Sequence, residues 1–213
     1  MAGSRPVALV GALVAVLALV SASSSGSPGG AAVQGDSLYH GIVSAEPTPL
    51  PDAILTDTSG QPYNLRERAE GKLTLLYLGY TNCPDICPAH MANVAAALKR
   101  LPASTVRRIN VVFITTDPDR DTPVVMRKWL DHFDPNFAGL TSSQDNLDAV
   151  QRALGLNIAV KQDTADGGYT VGHAAAVLAF TSDGKSHIEY APGTSVDDLA
   201  HDLALLTKGW KNP

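Results

Sequence analysis

The 213 residues are 45% hydrophobic, enough for one single-core domain with extensions, and carry a formal net charge of −5. Charges of both signs are mixed along the chain without a long basic run, which excludes an electrostatic case for a nucleic-acid partner. The only two cysteines, Cys83 and Cys87, stand four residues apart.

Residues 1–22 read as a signal peptide or membrane anchor. Arg5 gives a small positive start, Val7–Val20 is unbroken apolar sequence, and Ser21-Ala22-Ser23 offers small residues for cleavage. The apolar run is shorter than the roughly 20 residues of a typical spanning helix, which favours a cleaved signal. No cysteine lies near residue 22, so a lipobox acylation is not expected. Residues 23–46 read as a flexible linker, rich in Ser, Gly and Ala up to Gly35, and residues 47–213 as the folded domain.

The domain opens on a hairpin, Ala53–Leu55 and Gln61–Tyr63 around Asp57-Thr58-Ser59-Gly60. Leu73–Gly79 is apolar enough for a central strand covered on both faces. After the cysteines, Pro88 suits the first turn of a helix bearing Met91, Val94, Ala95 and Leu98. A second buried strand spans Ile109–Ile114. Thr122 and Pro123 then start a helix with Met126, Trp129, Leu130 and Phe133. A further helix covers Asn146–Leu154, and Ala174–Phe180 is a third buried strand. His187–Tyr190 returns antiparallel after the turn Ser182–Lys185. Ser195 and Asp198 form a capping-box pattern that opens a last amphipathic helix with Leu199, Leu203 and Leu206. Alternating strands and helices imply an α/β domain with a central, mostly parallel sheet and helices on both faces. A cysteine pair between the first central strand and its helix makes the arrangement thioredoxin-like.

Thiolates at a strand-to-helix junction are stabilised by free N–H groups and the positive end of the helix dipole. Such a pair chelates a soft ion such as Cu(I), or closes into a disulfide. As an inert staple it would do little, because so small a ring removes little entropy from the unfolded chain. Among the six histidines, His173 stands just before the strand Ala174–Phe180, where strand starts in this architecture lie beside the cysteine loop. His90, on the helix after Cys87, is the competitor and reads as a solvated helix residue. His132 and His201 read as helix residues, His187 as a strand residue, and His40 as preceding the domain.

Gly79-Tyr80-Thr81-Asn82-Cys83-Pro84-Asp85-Ile86-Cys87-Pro88 resembles the core motif of the Sco/SenC copper-chaperone family. Asp117-Pro118-Asp119-Arg120-Asp121-Thr122 is similar to that family's second block, and Val171-Gly172-His173 falls where the family places a ligand histidine. The resemblance spans about residues 50–207. It implies a thioredoxin-like metallochaperone in which Cys83, Cys87 and His173 bind copper as Cu(I) or Cu(II). It also implies delivery to the binuclear copper site of cytochrome c oxidase subunit II, with an upstream copper donor and a thiol reductase as further partners. The place of action would be exported: the outer face of the cytoplasmic membrane, the periplasm or the extracellular side. Asp117, Arg120 and Asp121 are expected to support the site without ligating. Where the family has Asp and then Ser or Thr around its histidine, this chain has Gly172 and Ala174, so a contact orienting the imidazole is expected to be missing.

Two enzymatic readings compete. An exported thiol–disulfide reductase would use one cysteine to attack and the other to resolve. The oxidoreductases of this fold carry a cis-proline before the strand in question, and this chain has no proline between Pro135 and Pro192. A peroxiredoxin-like peroxidase fits Thr81 but not a second cysteine so close. A copper-sensing or redox-signalling role would need a partner.

Overall fold

A computed structural model of the chain describes Gly3 and residues 37–213. Apart from Gly3, the expected export segment and residues 23–36 of the expected linker lie outside the described residues. The described chain begins with β1 (Ile42–Pro49) and the hairpin β2 (Ile54–Asp57) and β3 (Pro62–Asn64), followed by α1 (Leu65–Ala69). Next come β4 (Leu73–Gly79), α2 (Ile86–Lys99), α3 (Ala103–Val106), β5 (Ile109–Thr115) and α4 (Pro123–Leu130). The last part holds β6 (Ala138–Thr141), α5 (Gln144–Ala153), β7 (Val160–Asp163), β8 (Tyr169–Gly172), β9 (Val177–Phe180), β10 (Lys185–Tyr190) and α6 (Val196–Leu206).

Eight strands form one sheet in the order β1-β10-β9-β4-β5-β6-β2-β3, and β7 pairs with β8 in a separate hairpin. The expected parallel core is β4-β5-β6; the pairs flanking it are antiparallel, so the whole sheet is mixed. β4 explains why its sequence is apolar at nearly every position. Leu73, Leu75 and Tyr77 face the layer built from α2, α4 and α6, while Leu76 and Leu78 face the layer containing α1 and α5. A leucine buried on such a surface contributes about 1.5–3 kcal/mol. The hairpin turn is held by Asp57, whose Oδ1 accepts from the Ser59 and Gln61 N–H groups at 2.8 and 3.0 Å. Thr122 and Ser195 cap α4 and α6 by accepting from the N–H groups of Val125 and Asp198.

The linker boundary needs correction. β1 takes up residues 42–46 and pairs with β10, and Tyr39 is buried against Trp210 with ring centroids 5.0 Å apart. The folded part therefore starts before Pro47. Among the described residues, no helix is long and apolar enough to cross a membrane.

Candidate metal centre

β4 ends at Gly79, and the loop that follows turns into α2 with both cysteines. A Cβ on Gly79 would lie 2.9 Å from Cys87 Sγ and 2.8 Å from the Tyr77 ring. Only glycine lets the sulfur rest against the end of the strand. Asp85, the N-cap residue of α2, makes no side-chain capping bond. The Cys87 N–H instead points at Cys83 Sγ, 3.5 Å away. A sulfur thus occupies the capping position, at the positive end of the helix dipole.

The two thiols differ. Cys87 is fully buried, and burial pushes its pKa up to about 12 even though the Tyr77 hydroxyl donates to its sulfur at 3.4 Å. Cys83 is 9% exposed. Burial pushes its pKa up as well, but the N–H groups of Asp85, Cys87 and Ile86 outweigh that and hold the thiol below its ordinary value. Both cysteines are free.

His173 arrives from the other side, one residue beyond β8. Its Nε2 lies 3.5 Å from Cys87 Sγ, and its Nδ1 lies 2.8 Å from the Ala174 carbonyl oxygen. A carbonyl only accepts, so Nδ1 carries the proton and the Nε2 lone pair faces the sulfur. Burial lowers the imidazole pKa against the opposing pull of the Ala174 and Leu78 carbonyls, which keeps the ring neutral and able to ligate. Tyr77 and Tyr80 stand edge-on to it at centroid distances of 6.0 and 5.7 Å. A different orienting contact therefore stands in place of the one expected to be missing. It comes from the backbone of residue 174, so the alanine side chain does not matter, and Gly172 is an exposed residue across the hairpin from Val160.

Cys83, Cys87 and His173 each offer one donor atom, and the three atoms lie within 4.8 Å of one another. His90 is not in this group and is not a solvated helix residue. It is buried with its ring 5.1 Å from that of Tyr77, which corrects the expectation of an exposed side chain. His187 pairs with Asp183, and His132 is exposed beside the Trp129 carbonyl. His40 belongs to the folded part and stacks on His201, away from the cysteines. Two sulfurs and a neutral imidazole make a small, largely dry donor set suited to a soft or borderline ion.

The segment after β5 holds both halves of this set. Buried Asp121 accepts from the Thr81 N–H at 3.0 Å, the Thr81 hydroxyl at 2.5 Å and the Thr115 hydroxyl at 2.7 Å, pinning the loop two residues before Cys83. Burial raises its pKa, and these donors work against that. Arg120 pairs with buried Asp117, donates to the Tyr169 carbonyl at 3.0 Å and lies 3.6 Å over the Tyr169 ring. The Tyr169 hydroxyl donates to Asp117 at 2.9 Å. These contacts hold β8, which leads to His173. Sequence reasoning missed Tyr169 and Tyr77. Tyr77 did leave a signal, because a phenol in a strand buried on both faces needs a polar partner.

The chain matches the SCO1/SenC family model over residues 52–208. It is 36% identical over 135 residues to a SCO2-like protein of Rickettsia felis, a match covering 63% of this chain and 65% of that one. The copper-bound structure of Bradyrhizobium japonicum ScoI aligns with a TM-score of 0.65 at 30% identity, covering 76% of this chain and 98% of the other. BsSco, described as a member of the Sco family of cytochrome c oxidase assembly proteins with a disulfide switch, shares the fold at 21% identity, a TM-score of 0.62 and coverage of 79% and 99%. Since the family match takes in the cysteine loop, the clamp after β5 and the strand leading to His173, the chain belongs to the SCO1/SenC family.

Proposed function

We propose that this chain carries copper, held by the thiolates of Cys83 and Cys87 and by Nε2 of His173. The observation that carries the reading is the convergence of these three donors within 4.8 Å, with the Nε2 lone pair already turned inward by the Ala174 carbonyl. Two thiolates and an imidazole favour Cu(I) and also hold Cu(II). Loading Cys87 means displacing a tightly held proton, so uptake strengthens with pH. The place of action in this reading is the outer side of the cytoplasmic membrane or its topological equivalent. The recipient is the binuclear copper site of cytochrome c oxidase subunit II, in keeping with the role that the family resemblance implies. Anaerobic titration of the reduced full chain with Cu(I) tests it. One copper per chain is expected, and no binding in competition with a moderate chelator would end the proposal.

The unequal thiols support a second reading, thiol–disulfide exchange. Cys83, solvent-reached and acidified, suits the attacking role, and buried Cys87 the resolving one. Catalysed reduction of a disulfide-bonded model protein by the copper-free chain, with regeneration by a dithiol, would favour it over the carrier.

A further inference from the structure

A second group of donors lies on α6 and the segment before β1. The rings of His40 and His201 stack with centroids 4.2 Å apart and planes within 6°. His40 Nδ1 is 2.6 Å from Asp198 Oδ1, and His201 Nδ1 is 2.9 Å from Asp202 Oδ1. Each imidazole thus donates its Nδ1 proton to its own carboxylate and keeps an Nε2 lone pair. A carboxylate behind an imidazole fixes the tautomer and raises ligand basicity, the arrangement found behind metal-bound histidines. Both side chains are half exposed, at 45% and 44%, so an ion from solvent can reach them.

The group is built into the fold. Asp202 is fully buried, and its carboxylate accepts from the His40 N–H at 3.0 Å and the Gly41 N–H at 2.8 Å. It therefore anchors the backbone of one histidine while orienting the ring of the other. Gly41 is needed there, because a Cβ would fall 2.4 Å from Ile188 Cγ2. One donor atom each from His40, His201 and Asp202 lies within 4.8 Å of the others.

We propose that His40 and His201 form a second metal site, for a borderline divalent ion, with Cu(II) the strongest-binding candidate. Imidazole nitrogen backed by carboxylate suits Cu(II), Ni(II) and Zn(II), and Cu(II) heads that series in affinity. Both rings are half exposed, which leaves them room to tilt and bring their Nε2 atoms onto one ion. The site has no sulfur, so it offers Cu(I) nothing comparable to the cysteine centre.

The test removes the cysteine centre from the full chain with Cys83→Ser, Cys87→Ser and His173→Ala, then titrates with copper(II) sulfate under EPR. One equivalent with hyperfine structure from two nitrogens is expected. Adding His201→Ala should weaken that binding at least tenfold, whereas adding His132→Ala, an isolated exposed histidine, should leave it unchanged. In the wild-type chain with Cys83 and Cys87 closed into the disulfide, substoichiometric Cu(II) should broaden the NMR signals of residues 38–42 and of α6, a reading that needs no variant to fold. Absence of Cu(II) binding in the folded triple variant, an unaltered spectrum after His201→Ala, or broadening confined to residues around Cys83 and His173 would each overturn the proposal.

Discussion

Cys83 and Cys87 stand at the end of β4, a strand buried along its whole length, whereas His173 follows β8, whose partner strand β7 is exposed at every residue. The sulfurs are fixed by the core: Gly79 admits Cys87, and Asp121 pins the loop. The imidazole is oriented by the Ala174 carbonyl, and the strand that carries it is held by a few polar contacts of Arg120 and Tyr169. Backbone at an exposed hairpin opens locally at lower cost than backbone in a central strand. The proposed copper site therefore pairs two firmly held donors with one whose release is easier, a division that would suit the carrier role proposed above.

The largest expected effect comes from breaking the permanent half. Cys83→Ser or Cys87→Ser should lose Cu(I) completely to a competing chelator that leaves the wild-type chain loaded, because one thiolate and one imidazole are a poor chelate for Cu(I). Retention by Cys87→Ser would mean that the buried sulfur is not a ligand. Closing the two sulfurs into a disulfide should abolish uptake equally, since a disulfide offers no thiolate. Mass-verified oxidised protein that still takes up copper at the cysteine centre would defeat this gating. The fold should survive either redox state, because its core is made of apolar strands and helices.

The thiols also set a pH dependence. An unfolded Cys87 titrates near 9.0, and the folded one holds its proton to about 12. Between those values the folded state binds more protons than the unfolded one, so reduced protein should lose stability as pH rises through that window. Cys83 works in the opposite sense. Its lowered pKa gives stability that is present above 9.0 and is lost as pH falls through the folded value. Alkylation followed by mass spectrometry should show Cys83 reacting first, with a midpoint below 9.0, and equal rates for the two thiols would remove the asymmetry.

Breaking the releasable half should cost less. His173→Ala should weaken copper binding and change the Cu(II) absorption spectrum, leaving two thiolates still in place. His90→Ala should leave the spectrum unchanged, since His90 lies against Tyr77 and outside the donor group. A larger loss in His90→Ala would exchange the two histidines.

The same contrast decides what was legible in the sequence. β4, β5, α2, α4 and α6 show their periodicity because the core dictates it, and the cysteine motif sits on that frame. β1 escaped notice because Pro47 and Pro49 argue against a strand; it lies at the sheet edge, where proline is tolerated, and its register shifts between Val43 and Thr48. β7 escaped because it has no buried face, and its hairpin is held by Asp117, Asp119 and Arg120 from far along the chain, Asp119 accepting from Lys161 of β7. The contact that orients His173 could not be read at all, since a carbonyl oxygen is common to every residue type. His40 and His201 meet only because Asp202 anchors the chain ahead of β1, a pairing no local pattern announces.

Loosening the hairpin without touching a ligand sharpens the comparison further. Tyr169→Phe removes the hydroxyl that donates to Asp117 while keeping the ring under Arg120. Outer contacts of this kind change metal affinity by about 10- to 100-fold, and the lower end is expected here because Arg120 still holds the strand. Faster hydrogen exchange across β7 and β8, with β4 unchanged, would locate the effect in the releasable half; exchange spreading into β4 would deny that the halves are separate.

The smallest effect should come from Tyr77→Phe, on the permanent side. The substitution keeps the ring that packs on Phe113 and His90 and deletes only the hydroxyl that donates to Cys87 at 3.4 Å. A single hydrogen bond of this class is worth about 0.5–1.5 kcal/mol net, so copper affinity should change by less than about tenfold. The direction is fixed by what the hydroxyl does for the sulfur. Without it the Cys87 thiolate loses a donor, its pKa rises further, and copper uptake should need higher pH than in the wild-type chain. Because the remaining contacts of the loop come from Asp121 and Gly79, thermal stability should move little. A shift of the uptake curve to lower pH in Tyr77→Phe would mean that the phenol opposes the thiolate, and the permanent half would then owe its chemistry to the helix terminus alone.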